Sequence, residues 1–217
     1  MTQWVENPTG GRDRGPAALA RAWLEVLVAP RRFFERGVAP GDQAPGLVFA
    51  MTVVLVEVAT RFALVPSAVP SIGGRPALAA LFGLALATVF VAPAVLHLTG
   101  ALQTVLLMGV VRDRAGTSET VQVIAYATAP CVFAGIPSPT LRLACTAYGA
   151  VLLVVGLRTV HGTSTLRAAV AGAIPAAIVF GYAFRGVAAF GEVVVWTASE
   201  VCLRVSELGA QVCLPLA

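Results

Sequence analysis

Hydrophobic positions in this chain run together in long blocks. From Pro76 to Val111, thirty-six consecutive residues carry no ionisable side chain other than His97. A soluble helix cannot stay apolar around its whole circumference for that distance, because its outer face would meet only water. About 20 such residues cross a bilayer core, so this block holds more than one crossing needs. Shorter blocks predict further spans at about 46–65, 120–136, 140–157 and 166–184. Gly/Pro-rich or polar loops separate them, and the turn Pro137-Ser138-Pro139 is so short that its two flanking spans are antiparallel neighbours. The pattern predicts an all-α, polytopic transmembrane helical bundle of about five spans.

At both ends the pattern becomes amphipathic. Residues 1–15 read as a disordered tail. From Pro16 to Ala29, Leu19, Trp23, Val26 and Leu27 form one stripe, with Arg21 and Glu25 as an i,i+4 pair off it. That segment is too short to span and predicts a helix lying at the interface. The following Pro30-Arg31-Arg32-Phe33-Phe34 places guanidiniums beside paired rings. Arg31 and Arg32 are expected at lipid headgroups, with the rings reaching the acyl boundary. Residues 16–45 therefore form an interfacial unit and 46–185 the membrane domain. Residues 186–217 form an amphipathic C-terminal helix with Glu192, Glu200, Arg204, Glu207 and Gln211 on one face, expected to lie on the membrane.

The long block poses a choice between one bent span and a hairpin of two. As one helix it measures roughly 54 Å, against a core of about 30 Å. Pro93 and Gly100 offer places to bend, but FVAPAVLH around Pro93 supplies no polar turn. Loop arginines give a second test. With five spans and a cytoplasmic N-terminus, ten arginines lie inside and four outside; with six spans the balance is nine to five. The positive-inside rule prefers five.

Composition agrees with membrane residence. The 217 residues are 58% hydrophobic and 12% charged, with mean hydropathy +0.84. Soluble domains carry about 25% charged residues. The basic residues are all arginine and are scattered among the spans, which excludes a nucleic-acid-binding stripe. Cys131, Cys145, Cys202 and Cys213 have no CxxC spacing, and with only His97 and His161 besides, no metal site is expected. The N-terminus lacks the basic-then-apolar pattern of a cleaved signal, so insertion is expected to use the first span.

Few residues can carry chemistry. Glu57 and Arg61 share one face of the first span, where charges are costly and face the bundle or a wet cavity. They read as a self-neutralising structural pair or as part of an ion relay. His97, near Thr99 and Gln103, is expected to hydrogen-bond between helices. Tyr126 and Pro130 are four apart and mark a kink. Ala169, Ala173, Ala177 and Gly181 form a small-residue stripe expected to pack a helix, within the chain in preference to another subunit. No nucleophile elbow, zincin, P-loop or dinucleotide motif is present. No cofactor is implied, and the chain is not expected to be an enzyme.

Three groups of residues together resemble a known family. They are Pro30-x-x-Phe33-Phe34 before the first span, Tyr126-Ala-x-Ala-Pro130 in the third, and Gly156-Leu157-Arg158-x-x-His161-Gly162 after the fourth. Over roughly residues 20–185 the chain resembles the Yip-one domain family, the Ypt/Rab-interacting membrane proteins, in its prokaryotic branch. The resemblance implies five spans and a cytoplasmic N-terminus in the cell membrane. Eukaryotic members are linked to Rab GTPases, vesicle traffic and membrane shaping, often as oligomers. The lysine-free, Ala/Val/Arg-rich composition points to a prokaryotic chain, and the N-terminal segment is short. A Rab-type GTPase partner is therefore not carried over.

Two functions follow as expectations. The first is a non-enzymatic membrane scaffold, binding headgroups through Arg31 and Arg32 and partner helices, or a second copy of itself, through the small stripe. The second is a small permease or channel with Glu57, Arg61, His97 and Tyr126 around a polar cavity.

Overall fold

The computed structural model describes residues 15–207, with side chains through Thr197. The expected N-terminal tail and the chain beyond Glu207 lie outside the described residues, as do the side chains of Glu200, Cys202 and Arg204. Among the described residues the structure is all helical. In chain order the helices are α1 (Pro16–Val28), α2 (Pro30–Arg36), α3 (Ala44–Leu64), α4 (Pro76–Val110) and α5 (Thr117–Ala127). Then come α6 (Pro139–Val160), α7 (Thr165–Ala183) and α8 (Gly186–Glu207). Four of them, α3, α4, α6 and α7, are long and apolar enough to cross a membrane.

The fifth crossing is built differently. α5 stops at Ala127 and the chain narrows into a 3-10 turn over Ala129–Phe133. Pro130 has no N–H to offer the Tyr126 carbonyl, so the α-helix cannot continue. Thr128 closes the end, donating both its N–H and its hydroxyl to the Ala125 carbonyl, at 3.2 and 2.7 Å. A 3-10 turn rises about 2.0 Å per residue against 1.5 Å, so Thr117 to Phe133 reaches roughly 28 Å. That is close to the hydrocarbon thickness. Every residue from Thr120 to Cys131 is buried. α5 is the axis, with α3, α4 and α6 packed around it.

The long apolar block is a single helix. α4 runs unbroken for 35 residues and widens to a π turn over Leu86–Val91. Pro93 explains the site, since its ring collides with the carbonyl four residues back and it cannot donate to it. Pro175 leaves a similar orphan in α7, the Ala171 carbonyl. There the Gln103 amide of α4 supplies the missing donor at 2.9 Å.

The Ala169/Ala173/Ala177/Gly181 stripe is turned partly outward: Ala173 and Ala177 are exposed and Ala169 and Gly181 half-buried, with Gly181 close to Val187 of α8. The face of α7 turned to the bundle is the adjacent Ala168, Ala171, Gly172, Pro175 and Val179. α8, expected to lie on the membrane, begins against α6. Gly186 lies against Thr146 and Glu192 pairs with Arg142 at 3.6 Å, so its first turns run antiparallel along α6.

Candidate functional site

The three groups of motif residues meet in one aromatic cluster. α2 is short and begins on Pro30, whose fixed φ suits a first helical position. It turns Phe33 and Phe34 inward, both only 2% exposed. Phe33 meets the Tyr126 ring edge-on at 4.8 Å, and Phe49 of α3 meets the same ring at 5.1 Å. Phe34 rests on Gly156, where any Cβ would stand 2.9 Å from the Phe34 ring and 2.7 Å from Val123. A glycine is required there by the closeness of three elements. The expectation that Phe33 and Phe34 reach the acyl boundary is thus overturned: α2 is pinned to the bundle, and its rings are the pin.

α1 is held beside it. Its buried residues are Ala18, Ala22 and Val26, with Leu19, Trp23 and Leu27 of the expected stripe partly buried next to them. The Trp23 indole donates to the Ala129 carbonyl at 2.8 Å, and the Tyr148 hydroxyl donates to the Leu27 carbonyl. The loop after α2 is clamped by Gln122, which accepts from the Ala39 N–H at 2.9 Å and donates to the Ala39 carbonyl at 2.6 Å.

With the rings inward, the charges of α2 turn outward. Arg31 and Arg32 are exposed and make only surface pairs, with Glu35 at 3.1 Å and Glu25 at 3.3 Å. Arg158, two residues past Gly156, is exposed at the same end of the bundle as Arg112, Arg114 and Arg167. His161 closes α6 there and is buried, its Nε2 3.4 Å from the Thr120 hydroxyl. Burial, and then the Arg114 charge, hold its pKa down at about 4, so the ring is neutral at physiological pH.

The opposite end carries the buried acid. Glu57 is paired, but its partner is Arg185, which corrects the expected Glu57–Arg61 pair. Arg185 also donates to the Ala134 carbonyl at 3.2 Å, a group freed where the 3-10 turn ends. Arg142 reaches the same carbonyl at 3.5 Å and Glu192 at 3.6 Å. One polar lock therefore joins α3, the end of the α5 segment, α6 and α8. Gly135 lets it close, since a Cβ there would collide with the Glu57 carbonyl. Arg185 has φ +60°, a left-handed conformation that costs a non-glycine residue about 1–2 kcal/mol. It turns the chain from α7 into α8 and aims the guanidinium inward. Sequence reasoning missed Arg185 because it stands in a loop. The signal for it is that Glu57, the only acid inside the apolar tracts, needs a cation, and that Arg142 and Arg185 fall at its end of the bundle.

A cavity of about 190 Å³ lies beside Glu57, between α3, α5 and the π turn of α4. Apart from Glu57 and Thr128 its lining is apolar. Arg61, His97 and Tyr126 do not line it. His97 faces outward, its Nδ1 2.7 Å from the Pro93 carbonyl of its own helix, and makes no link between helices. Tyr126 is enclosed by Phe33 and Phe49. The four residues expected to surround one polar cavity are not brought together.

Comparison with known proteins adds one finding. A family model described as the Yip1 domain matches residues 24–185. The match begins just after Trp23 and ends on Arg185, so it contains the aromatic cluster and the Glu57–Arg185 pair of the lock, while Glu192 lies beyond it. No curated protein and no solved structure matches the chain.

Proposed function

We propose that this chain, which belongs to the Yip1 domain family, is a non-enzymatic membrane scaffold that gathers anionic lipid headgroups at its cytoplasmic, arginine-rich end. One observation carries the reading: the Phe33/Phe34/Tyr126/Gly156 cluster fixes α2 so that Arg31 and Arg32 point away from the bundle. Arginines held on a rigid element lose little freedom on meeting phosphate, and their planar forks suit its oxygens. Arg112, Arg114, Arg158 and Arg167 extend the positive field across the same end. The outward small residues Ala173 and Ala177 give a second helix, from another copy or another membrane protein, a place to approach closely.

The test uses full-length protein in neutral phosphatidylcholine nanodiscs, offered vesicles with or without anionic lipid. Capture by anionic vesicles alone is expected. Arg31→Gln with Arg32→Gln should reduce capture severalfold, at about 1 kcal/mol per charge near the surface. Undiminished capture by the double variant sinks the reading.

A further inference from the structure

The cavity beside Glu57 opens sideways. Its floor is buried (Ala50, Leu96, Ile124, Thr128), whereas Val91 and Ala183 at its rim are exposed. In a membrane-spanning bundle that rim faces lipid chains. An apolar cavity of this size does not hold water, which needs polar partners. At about 190 Å³ the space exceeds the roughly 150 Å³ of an apolar cavity that stays dry and takes up benzene.

Its polar end is electrically unbalanced. Along α3 the lining runs from Ala50 to Val58, and Arg61 stands one turn further on the face of Glu57. On the other wall the lining ends at Phe184, and Arg185 is the next residue. Both walls therefore lead from hydrocarbon to an arginine. Glu57 is paired with Arg185 and Glu192 with Arg142, while Arg61 is near enough to attract Glu57 but makes no contact ion pair among the described residues. Three guanidiniums and two carboxylates gather at this end, leaving one net positive charge in the cluster, with Arg61 one turn beyond the slot.

We infer that this slot is a binding site for a single anionic phospholipid, with one acyl chain in the cavity and the phosphate on Arg61. The site lies at the opposite end from Arg31 and Arg32 and does not depend on the headgroup role proposed for them. The complement is specific. A neutral chain could fill the slot, but only an anionic head offsets the unpaired guanidinium, and a phosphate accepts its fork bidentately.

Native mass spectrometry of the full chain tests this. The protein is incubated with equal phosphatidylglycerol and phosphatidylcholine of matched chains, and the bound lipid is released in steps. One phosphatidylglycerol per chain should persist after the others dissociate. Arg61→Gln should lower its retention about tenfold, the loss of one charge-assisted contact, and Arg61→Lys, which keeps the charge but not the fork, should fall between wild type and Arg61→Gln. Ala92→Phe, which fills the slot, should abolish retention of either lipid. Arg31→Gln with Arg32→Gln should leave the persistent lipid in place, which separates this site from the other. Unchanged helicity by circular dichroism qualifies each variant. Equal retention of the two lipids by wild type, an unaffected Arg61→Gln variant, or displacement by inorganic phosphate overturns the inference.

Discussion

Removing Arg185 is the most informative perturbation of this fold. In Arg185→Ala the Glu57 carboxylate stays buried without its cation, and the Ala134 carbonyl loses a donor. Breaking a buried pair from one side costs on the order of 3–5 kcal/mol, because the remaining charge is stranded. None of that is returned by the backbone, since alanine at φ +60° is as strained as arginine. Arg185→Gly keeps the charge loss but relaxes the turn, and should be less destabilised than Arg185→Ala by about 1 kcal/mol. Glu57→Gln with Arg185→Gln removes both charges. It should be milder than either single substitution predicts, with a coupling of about 1–3 kcal/mol.

The assay is equilibrium unfolding in mixed micelles, raising the mole fraction of sodium dodecyl sulfate and following helicity. The order of stability expected is wild type, then the double variant, then Arg185→Gly, then Arg185→Ala. A loss below about 1 kcal/mol for Arg185→Ala would show that Arg61 or water takes over the carboxylate. Strict additivity in the double variant would refute the lock outright. Arg61→Gln removes a through-space attraction to Glu57 but no contact pair, and should cost less than Arg185→Ala.

Further expectations follow from the packing. Gly156→Leu forces Phe34 and Val123 apart and should cost about 1–3 kcal/mol or more, read by the same unfolding assay. It should also release α2, so that a cysteine placed at Phe33 becomes reactive to a water-soluble maleimide. Gln103→Leu deprives the Ala171 carbonyl of its donor and should cost about 1 kcal/mol. His161 gives a pH signature. Its folded pKa, about 4, lies below the ordinary 6.5, so the unfolded chain binds the proton first. Stability supplied by the neutral ring is whole above pH 6.5 and is lost as pH falls toward 4, by up to about 3 kcal/mol. The difference between wild type and His161→Asn should reproduce that slope, and a flat difference contradicts the burial of the ring.

What could be read from the sequence divides along a physical line. Hydrocarbon tolerates no unpaired backbone, so long apolar blocks must be helices, and α3, α4, α6 and α7 were legible for that reason. The third span was legible as an element, but its 3-10 ending was not. Pro130 announces a break without saying which geometry heals it. Faces were harder. In water the polar side of a helix marks itself, but α7 offers Ala169 and Ala168 equally to either neighbour, since lipid and protein are alike to alanine. Charge partners were hardest, because they depend on which helices adjoin. Glu57 could be identified as a residue in need of a cation, and Arg61 was the nearest in sequence. Arg185 is 128 positions away and became the partner through packing. The same reasoning inverts Phe33 and Phe34. Beside arginines they resemble an interfacial anchor, and only Tyr126 and Gly156, arriving from other helices, make them core. In a membrane bundle, then, sequence specifies which groups need a partner, and helix adjacency decides which group supplies it. The residues that settle adjacency here are the ones that permit contact, Gly135 under Glu57 and Gly156 under Phe34.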